Sequence, residues 1–292
     1  MHSLFSLTRI RAKARQTLQE TAGIFFLPLL AVFLGLTIQF ISSRSQDPVT
    51  IVEVANQDGA TWQYLSASIG FPIFSGILLS FLYLSISYTL FQILYKGKTQ
   101  TGFKDGLAIF QHPEFGKIVT TYFTKTFFLF LWALPLLIGS FLLIGSSVFV
   151  VFYMVSNNIS QPELIPDAVL ATFGLGFFGG LFLSLIGFAL YLPQYYAYSL
   201  VDILLFQALD QGHFTGARKL LKQSRLFMRG YKVKRFLLDL SFVGWFILIS
   251  LTFGMVGVYV LPYYYASQWH FYQTILETNS ILSQIIEKNT LA

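Results

Sequence analysis

Cysteine is absent from this 292-residue chain, and charged residues are scarce. Without a thiol, the chain has no disulfides, no cysteine nucleophile and no metal held through sulfur. Charged residues make up 11% of the sequence, whereas a soluble domain has about 25%. The composition therefore points away from an ordinary soluble globular domain.

Motifs for catalysis are also missing. The four histidines, at positions 2, 112, 213 and 270, are scattered and lack the spacing of a metal site. There is no phosphate-binding loop, no G-x-S-x-G and no paired-carboxylate motif. Gly97 and Gly102 have the glycine spacing of a phosphate loop but lack the lysine and hydroxyl residue that must follow. We therefore predict a protein that is not an enzyme, with no catalytic residues, no metal and no cofactor.

Hydrophobic residues are abundant, at 55% of the chain, and they are pooled in long runs. A helix needs about 20 apolar residues to cross roughly 30 Å of hydrocarbon. The runs lack the alternation of barrel strands, so they are predicted to be helices. The sequence predicts an all-α, polytopic membrane helix bundle over residues 1–292 as a single transmembrane domain. Its six predicted spans are 23–41, 69–94, 126–154, 172–206, 236–253 and 256–276.

The final pair of spans is open to a second interpretation. Residues 236–276 also fit one long kinked helix and a re-entrant turn, because only Gly254 to Gly257 marks the bend. That interpretation gives five spans and an external C-terminus.

Lysine and arginine fall in every second segment between the apolar runs, which is the pattern of cytoplasmic loops. The external segments 42–65 and 156–168 then carry acidic residues and a single arginine. This predicts cytoplasmic N and C termini. The net charge of +6 favours anionic lipid headgroups as partners, at about 1 kcal/mol per basic residue near the surface. Nucleic acid is not predicted as a partner, because topology already accounts for the basic residues.

Two basic segments have the periodicity of amphipathic helices lying in the membrane interface, at 4–18 and 214–231. In the second segment an apolar stripe is flanked by basic residues. A simple anchoring role and a lipid-sensing or partner-docking role both fit this pattern. The residues predicted to contact lipid headgroups are Arg218, Lys219, Lys222, Arg225 and Arg229.

Short internal matches suggest that the spans form three related hairpins. Phe91-Gln92-x-Leu94-x-x-Gly97 recurs as Phe206-Gln207-x-Leu209-x-x-Gly212. Leu192-Pro193-x-Tyr195-Tyr196-Ala197 recurs in the same way as Leu261-Pro262-x-Tyr264-Tyr265-Ala266. Chance among apolar residues is the alternative reading.

Tyrosines and a few polar groups in spans four and six are the best candidates for a polar pocket. A tyrosine hydroxyl in lipid needs a hydrogen-bond partner, so a cluster of them favours a cleft, although an aromatic belt is the alternative. Asp239 lies four residues after Arg235 and is predicted to be structural. Gly176, Gly180 and Ser184 form a ridge for close helix packing, within the chain or between two copies. The candidate pocket residues are Tyr195, Tyr198, Asp202, Tyr264 and Gln268.

The segment from Arg229 to Trp245, followed by Leu261-Pro262-Tyr263-Tyr264-Tyr265, resembles the signature of a bacterial integral-membrane family, the domain of unknown function 975. Arg11-Ala12-Lys13 before the first span is similar as well. The resemblance implies a multi-pass plasma-membrane protein of low-GC Gram-positive bacteria, distantly similar to the membrane domains beside glycerophosphodiester phosphodiesterases. It implies no catalytic residues, and the long segment 42–65 departs from the expected compact hairpins.

The sequence therefore predicts an accessory or assembly protein of the cell envelope, in contact with membrane lipids and with other membrane proteins. One alternative is a small-solute or lipid transporter with a polar aromatic pocket between spans four and six. A third hypothesis is an intramembrane enzyme.

Overall fold

A computed structural model of the chain describes residues 5–45 and 70–290, with side chains described except at 42–45, 162 and 281–290. The described residues form helices and no strand, so the all-α prediction is confirmed. Most of the predicted external segment 42–65 lies outside the described residues. The α-helices are α1 (Leu7–Glu20), α2 (Leu29–Ser45), α3 (Phe71–Lys96), α4 (Phe115–Ser156), α5 (Asp167–Ala197), α6 (Val201–Asp210), α7 (Ala217–Phe227), α8 (Lys232–Leu240), α9 (Val243–Leu251) and α10 (Gly257–Thr290); the 3-10 helices are Ile24–Phe26, Phe103–Gln111 and Pro162–Leu164.

Four stretches of helix in the described residues are long and apolar enough to cross a membrane. They are Ile24–Ile41, Phe71–Lys96, Phe115–Ser156 and Asp167–Asp210. Each overlaps one of the first four predicted spans, because a run of some 20 apolar residues is a local signal that packing does not alter. Helix α4 has 42 residues and helix α5 has 31, which correspond to about 63 Å and about 46 Å.

The last two predicted spans are not among these four stretches. Predicted span five is divided between α8 and the nine residues of α9, and α9 is only about 13.5 Å long. The bend predicted near Gly254 is confirmed, since Phe253 and Gly254 have φ angles of 51° and 94°. Glycine tolerates this left-handed region at little cost. The count of six spans and their arrangement as three hairpins stay predictions.

The chain divides into two compact units. The first unit contains Met1–Gly116, Asp202–Phe214 and Val233–Ala292, and the second contains Lys117–Val201 and Thr215–Lys232. The prediction of a single transmembrane domain over the whole chain stays a prediction.

In the first unit, α1 packs against α10. Ile10, Ala14 and Leu18 are buried there, so the apolar stripe of the predicted interfacial segment 4–18 is covered by protein. A buried hydrogen bond joins Thr17 Oγ1 to His270 Nε2 at 2.8 Å. Both side chains thereby have a hydrogen-bond partner at this buried contact.

Helix α10 also packs against α3 through a buried tryptophan. The indole Nε1–H of Trp269 donates to the carbonyl oxygen of Ser87 at 3.0 Å, and its ring lies 5.5 Å from that of Phe91. A buried tryptophan contributes a large apolar area and needs a partner for its N–H. Trp269 satisfies both requirements and fixes the register of α10 along α3.

The repeated Phe-Gln-x-Leu-x-x-Gly motif forms the same structure twice in the first unit. Gly97 follows α3 with φ of 68°, and Gly212 follows α6 with φ of 66°. Both glycines end a helix in the left-handed conformation, which favours glycine over other residues. The two helix ends are joined by an ion pair between Lys96 and Asp210.

The second unit is built on α4 and α5, whose backbones approach closely. A Cβ atom on Gly180 would lie 2.6 Å from the backbone nitrogen of Leu143, and one on Gly187 would lie 2.2 Å from that of Leu136. Gly139 faces Ser184 in the same way. The ridge of Gly176, Gly180 and Ser184 therefore packs within the chain, as predicted for small-residue helix contacts in membranes.

Candidate functional site: a basic cavity and an apolar cavity

The five candidate pocket residues fall in both units. Tyr195 and Tyr198 belong to the second unit, and Asp202, Tyr264 and Gln268 belong to the first. Tyr198 lines a cavity of the second unit, and Tyr264 lines a cavity of the first. The other three line neither of these two cavities, and a pocket shared by all five stays a prediction.

The cavity of the first unit has a volume of about 450 Å³. It is enclosed by α2, α3, α9 and α10, and its walls are mostly apolar. Drug-sized ligands occupy pockets of roughly 300–1,000 Å³ that are apolar with a few fixed polar groups. The polar side chains on its wall are Gln39, Tyr83, Ser250, Tyr264 and Tyr265.

A buried polar cluster extends from this cavity wall. The Tyr264 hydroxyl donates to Asp239 Oδ1 at 3.1 Å, and Arg235 Nη2 lies 3.4 Å from the same oxygen. Arg235 is only 3% exposed. The pairing of Asp239 with Arg235 is as predicted, and a buried guanidinium needs such a counter-charge. A purely structural role for Asp239 stays a prediction. The spacing of four residues indicated this pair, but nothing in the sequence indicated Tyr264 as its third member.

The guanidinium of Arg235 is incompletely paired within the described residues. Its Nε and Nη1 atoms are buried there and make no hydrogen bond to them. The cation is held partly by rings instead, with its centre 5.8 Å from Tyr264 and 5.7 Å from Phe271. Aromatic faces attract cations, most strongly where water is excluded.

In the second unit, helix α7 packs through its apolar face against the end of α5. Ala217 and Leu221 are buried, and Leu221 packs with Ala197, Tyr198 and Val201. As with α1, the apolar stripe predicted for the 214–231 segment is thus covered by protein over these residues. The amphipathic pattern predicted the helix correctly, because a stripe facing protein and one facing lipid have the same periodicity.

Ser224 joins α7 to the end of α5 through two hydrogen bonds. Its hydroxyl donates to the carbonyl oxygen of Ala197 at 2.7 Å and accepts from the backbone N–H of Leu200 at 3.2 Å. These two backbone groups flank the break between α5 and α6, where helical hydrogen bonds are interrupted. A buried backbone group left unpaired would cost free energy, so this serine stabilises the break and the position of α7.

The basic residues of α7 lie on its exposed side, and three of them line a second cavity. Arg218, Lys222 and Arg225 surround a space of about 210 Å³ together with Phe128, Tyr198 and Leu221. Lys219 and Arg229, the other two predicted headgroup contacts, are exposed but do not line it. The spacing of 218, 222 and 225 on one helical face was visible in the sequence, whereas Phe128 was not.

Arg225 is held in place by its neighbours in the second unit. Nη2 donates to the Tyr198 hydroxyl at 2.8 Å and to Gln194 Oε1 at 3.0 Å. Its guanidinium also lies 5.5 Å from the centre of the Tyr198 ring. A guanidinium has five N–H donors, so three remain for a ligand.

The described part of the chain contains no cluster of metal-ligating side chains. Residues 5–45 and 70–290 contain no group of three histidine, aspartate or glutamate side chains that could hold a metal ion. The two cavities instead offer binding groups, which are basic side chains in one and polar side chains in the other, each beside aromatic and apolar walls.

The described residues thus include four helical stretches long and apolar enough to cross a membrane, which is a feature of a helical membrane protein. The chain belongs to the family described as Protein of unknown function (DUF975), whose model matches residues 5–279. No curated protein and no solved structure matches the chain. The predicted family is thus confirmed, and the distant similarity to phosphodiesterase-associated domains stays a prediction.

Proposed function

We propose that this protein is a non-enzymatic, multi-pass protein of the bacterial plasma membrane whose cytoplasmic face binds anionic lipid headgroups. Its role is accessory, supporting the assembly of other membrane components of the envelope. The observation that carries the proposal is the exposed basic side of α7 beside long apolar helices. Cations at that position attract anionic lipid by about 1 kcal/mol each.

The proposed orientation has six spans and places both termini and α7 in the cytoplasm. One contact in the first unit supports it. The backbone of Ala22 is bonded to Thr99 and Thr101, at 3.1 and 2.9 Å. This contact supports an orientation in which the basic segments before α2 and after α3 share one side of the membrane, as the rule for basic loops requires.

Lipid preference and its dependence on salt test the proposal. The full-length protein is reconstituted in an equimolar mixture of phosphatidylglycerol and phosphatidylcholine, and the lipids that copurify in mild detergent are counted by native mass spectrometry. We expect phosphatidylglycerol to be retained several-fold over phosphatidylcholine. The excess should shrink as salt rises from 0.1 M to 1 M, because the screening length falls from about 10 Å to about 3 Å.

Equal retention of the two lipids at low salt contradicts the proposal. Orientation is checked on the same protein with Lys219→Cys, the single thiol of an otherwise cysteine-free chain. A membrane-impermeant thiol reagent should label it in inverted vesicles and not in intact cells. Labelling in intact cells contradicts the cytoplasmic placement of α7.

Transport is the second candidate function, and the cavity of the first unit favours it. A solute in that cavity would contact Tyr264 and, through it, Asp239. The cavity can be filled without touching this cluster, because Gly35 lines it and a Cβ atom there meets nothing within 4 Å. For a transporter we expect Gly35→Phe to abolish solute flux in cells.

Gly76→Phe is the matched control for this substitution. Gly76 also has open space around it but does not line the cavity, so its flux should stay normal. Equal fluxes in the parent protein, Gly35→Phe and Gly76→Phe, for every solute offered, would exclude transport through this cavity.

A further inference from the structure

We infer that the cavity on α7 is a binding site for one anionic phospholipid, with its phosphate on Arg218, Lys222 and Arg225 and its acyl chains along α4. This inference rests on the proposed function. It goes further than the proposed function, which needs only a basic surface. Such a surface binds many headgroups weakly, whereas the cavity on α7 would bind one lipid tightly.

The first argument is how charge is distributed on α7. Five basic residues lie in 218–229, but only three of them line the cavity. Within the described residues, none of these three has a carboxylate within ion-pair distance. Three converging cations without a counter-charge are suited to a phosphate group.

The second argument is that part of this cavity is ordered before a ligand binds. The hydrogen bonds to Tyr198 and Gln194 fix the Arg225 guanidinium before any ligand arrives. Ser224, one residue earlier, fixes the helix backbone. A preorganised cation loses less side-chain entropy when it binds an anion, which favours a defined site over a flexible basic surface.

The third argument selects a lipid over a soluble anion. One wall of the cavity is Phe128 of α4, and next to it Phe127 and Leu131 are exposed on the same helix. These side chains lie in α4, whose most apolar stretch of 18 residues has a mean hydropathy of 2.5. A ligand that is anionic at one end and apolar at the other satisfies both the cations and this wall. A free phosphate satisfies only the cations.

The size of the cavity agrees with a ligand whose headgroup lies inside it and whose acyl chains lie outside. At about 210 Å³ it is smaller than a pocket for a whole drug-sized molecule. It holds a headgroup, and the acyl chains must then lie outside it, against Phe127 and Leu131. The ligand class is therefore a phospholipid with a net negative headgroup.

The test compares two double variants with equal loss of charge. Arg218→Gln/Lys222→Gln removes two cations from the cleft, and Lys219→Gln/Arg229→Gln removes two from outside it. Among the described residues these four exposed side chains take part in no hydrogen bond or ion pair, so both variants should fold. Unfolding temperatures in detergent check this. The number and affinity of phosphatidylglycerol molecules retained are measured as for the parent protein.

We expect the cleft variant to bind the most tightly held phosphatidylglycerol at least about tenfold more weakly, and the outside variant to lose no more than about threefold. Arg218→Lys should keep most of the affinity, because it keeps the charge. If the two variants lose the same affinity for phosphatidylglycerol, the cavity on α7 is not a specific lipid site, although the proposed function still holds. If the parent protein shows no preference for phosphatidylglycerol, the proposed function fails as well.

A competition experiment separates lipid from free anion as the occupant. Inorganic phosphate and the deacylated headgroup, glycerophosphoglycerol, are added to the detergent-solubilised complex at constant ionic strength. We expect neither to displace the lipid, because neither contacts Phe127 and Leu131. Displacement by inorganic phosphate at concentrations comparable to those of the lipid overturns the assignment to a phospholipid.

Discussion

Leucine in place of Gly180 forces α4 and α5 apart, whereas leucine in place of Gly179 leaves them packed. A Cβ atom at 180 would lie 2.6 Å from a backbone nitrogen and 2.7 Å from a backbone oxygen of α4, and neither can move without displacing the helix. A Cβ atom at 179 meets nothing within 4 Å. We expect Gly180→Leu to lower the free energy of unfolding by about 3 kcal/mol, the upper end of the range for overpacking.

Thermal unfolding in detergent micelles measures this difference, and Gly179→Leu is a matched control with the same added hydrophobicity. Light scattering of both variants adds a second readout. If the ridge joined two copies, Gly180→Leu would change the oligomeric state, whereas packing within one chain predicts no change in mass. Equal unfolding temperatures for the two variants contradict the observed contact.

Asp239→Asn is expected to destabilise the first unit by about 3–5 kcal/mol. The substitution preserves the shape and the acceptor for Tyr264 but removes the charge opposite Arg235. That guanidinium is buried and already has two nitrogens without partners among the described residues. It would then be a buried cation without a counter-ion, which is among the costliest changes in a protein interior.

Two controls separate charge pairing from general damage in this experiment. Glu277→Gln breaks a pair with Lys13 whose side chains are 60% and 41% exposed, so we expect a change within about 0–1 kcal/mol. Arg235→Met/Asp239→Leu removes both charges and should recover most of the lost stability. Unfolding in detergent provides the measurement. A smaller effect from Asp239→Asn than from Glu277→Gln would show that the pair contributes little.

The sequence predicted features that depend on neighbours along the chain. Apolar runs predicted the first four spans, the amphipathic pattern predicted α7, and the spacing of four residues predicted the pair of Arg235 and Asp239. Gly254 marked the turn before α10 because glycine tolerates a left-handed conformation. Each of these signals operates within about two turns of helix or one span.

Features that depend on distant residues could not be predicted. Thr17 meets His270, Ser87 meets Trp269, and Tyr264 meets Asp239 across separations of 253, 182 and 25 residues. Periodicity carries no information about such pairs. The break between α8 and α9 was also missed, because Ser241 and Phe242 are neither proline nor glycine. Predicted span five therefore looked continuous in the sequence.

Helices α4 and α5 have a consequence for how the protein meets membranes of different thickness. At about 46 Å, α5 alone is longer than a hydrocarbon layer of roughly 30 Å, and α4 is longer still. Where the apolar part of such a helix is longer than the hydrocarbon layer, the mismatch is relieved by tilting of the helix or by local thickening of the bilayer. We therefore expect the tilt of these two helices in a bilayer to depend on its thickness, without any bound ligand.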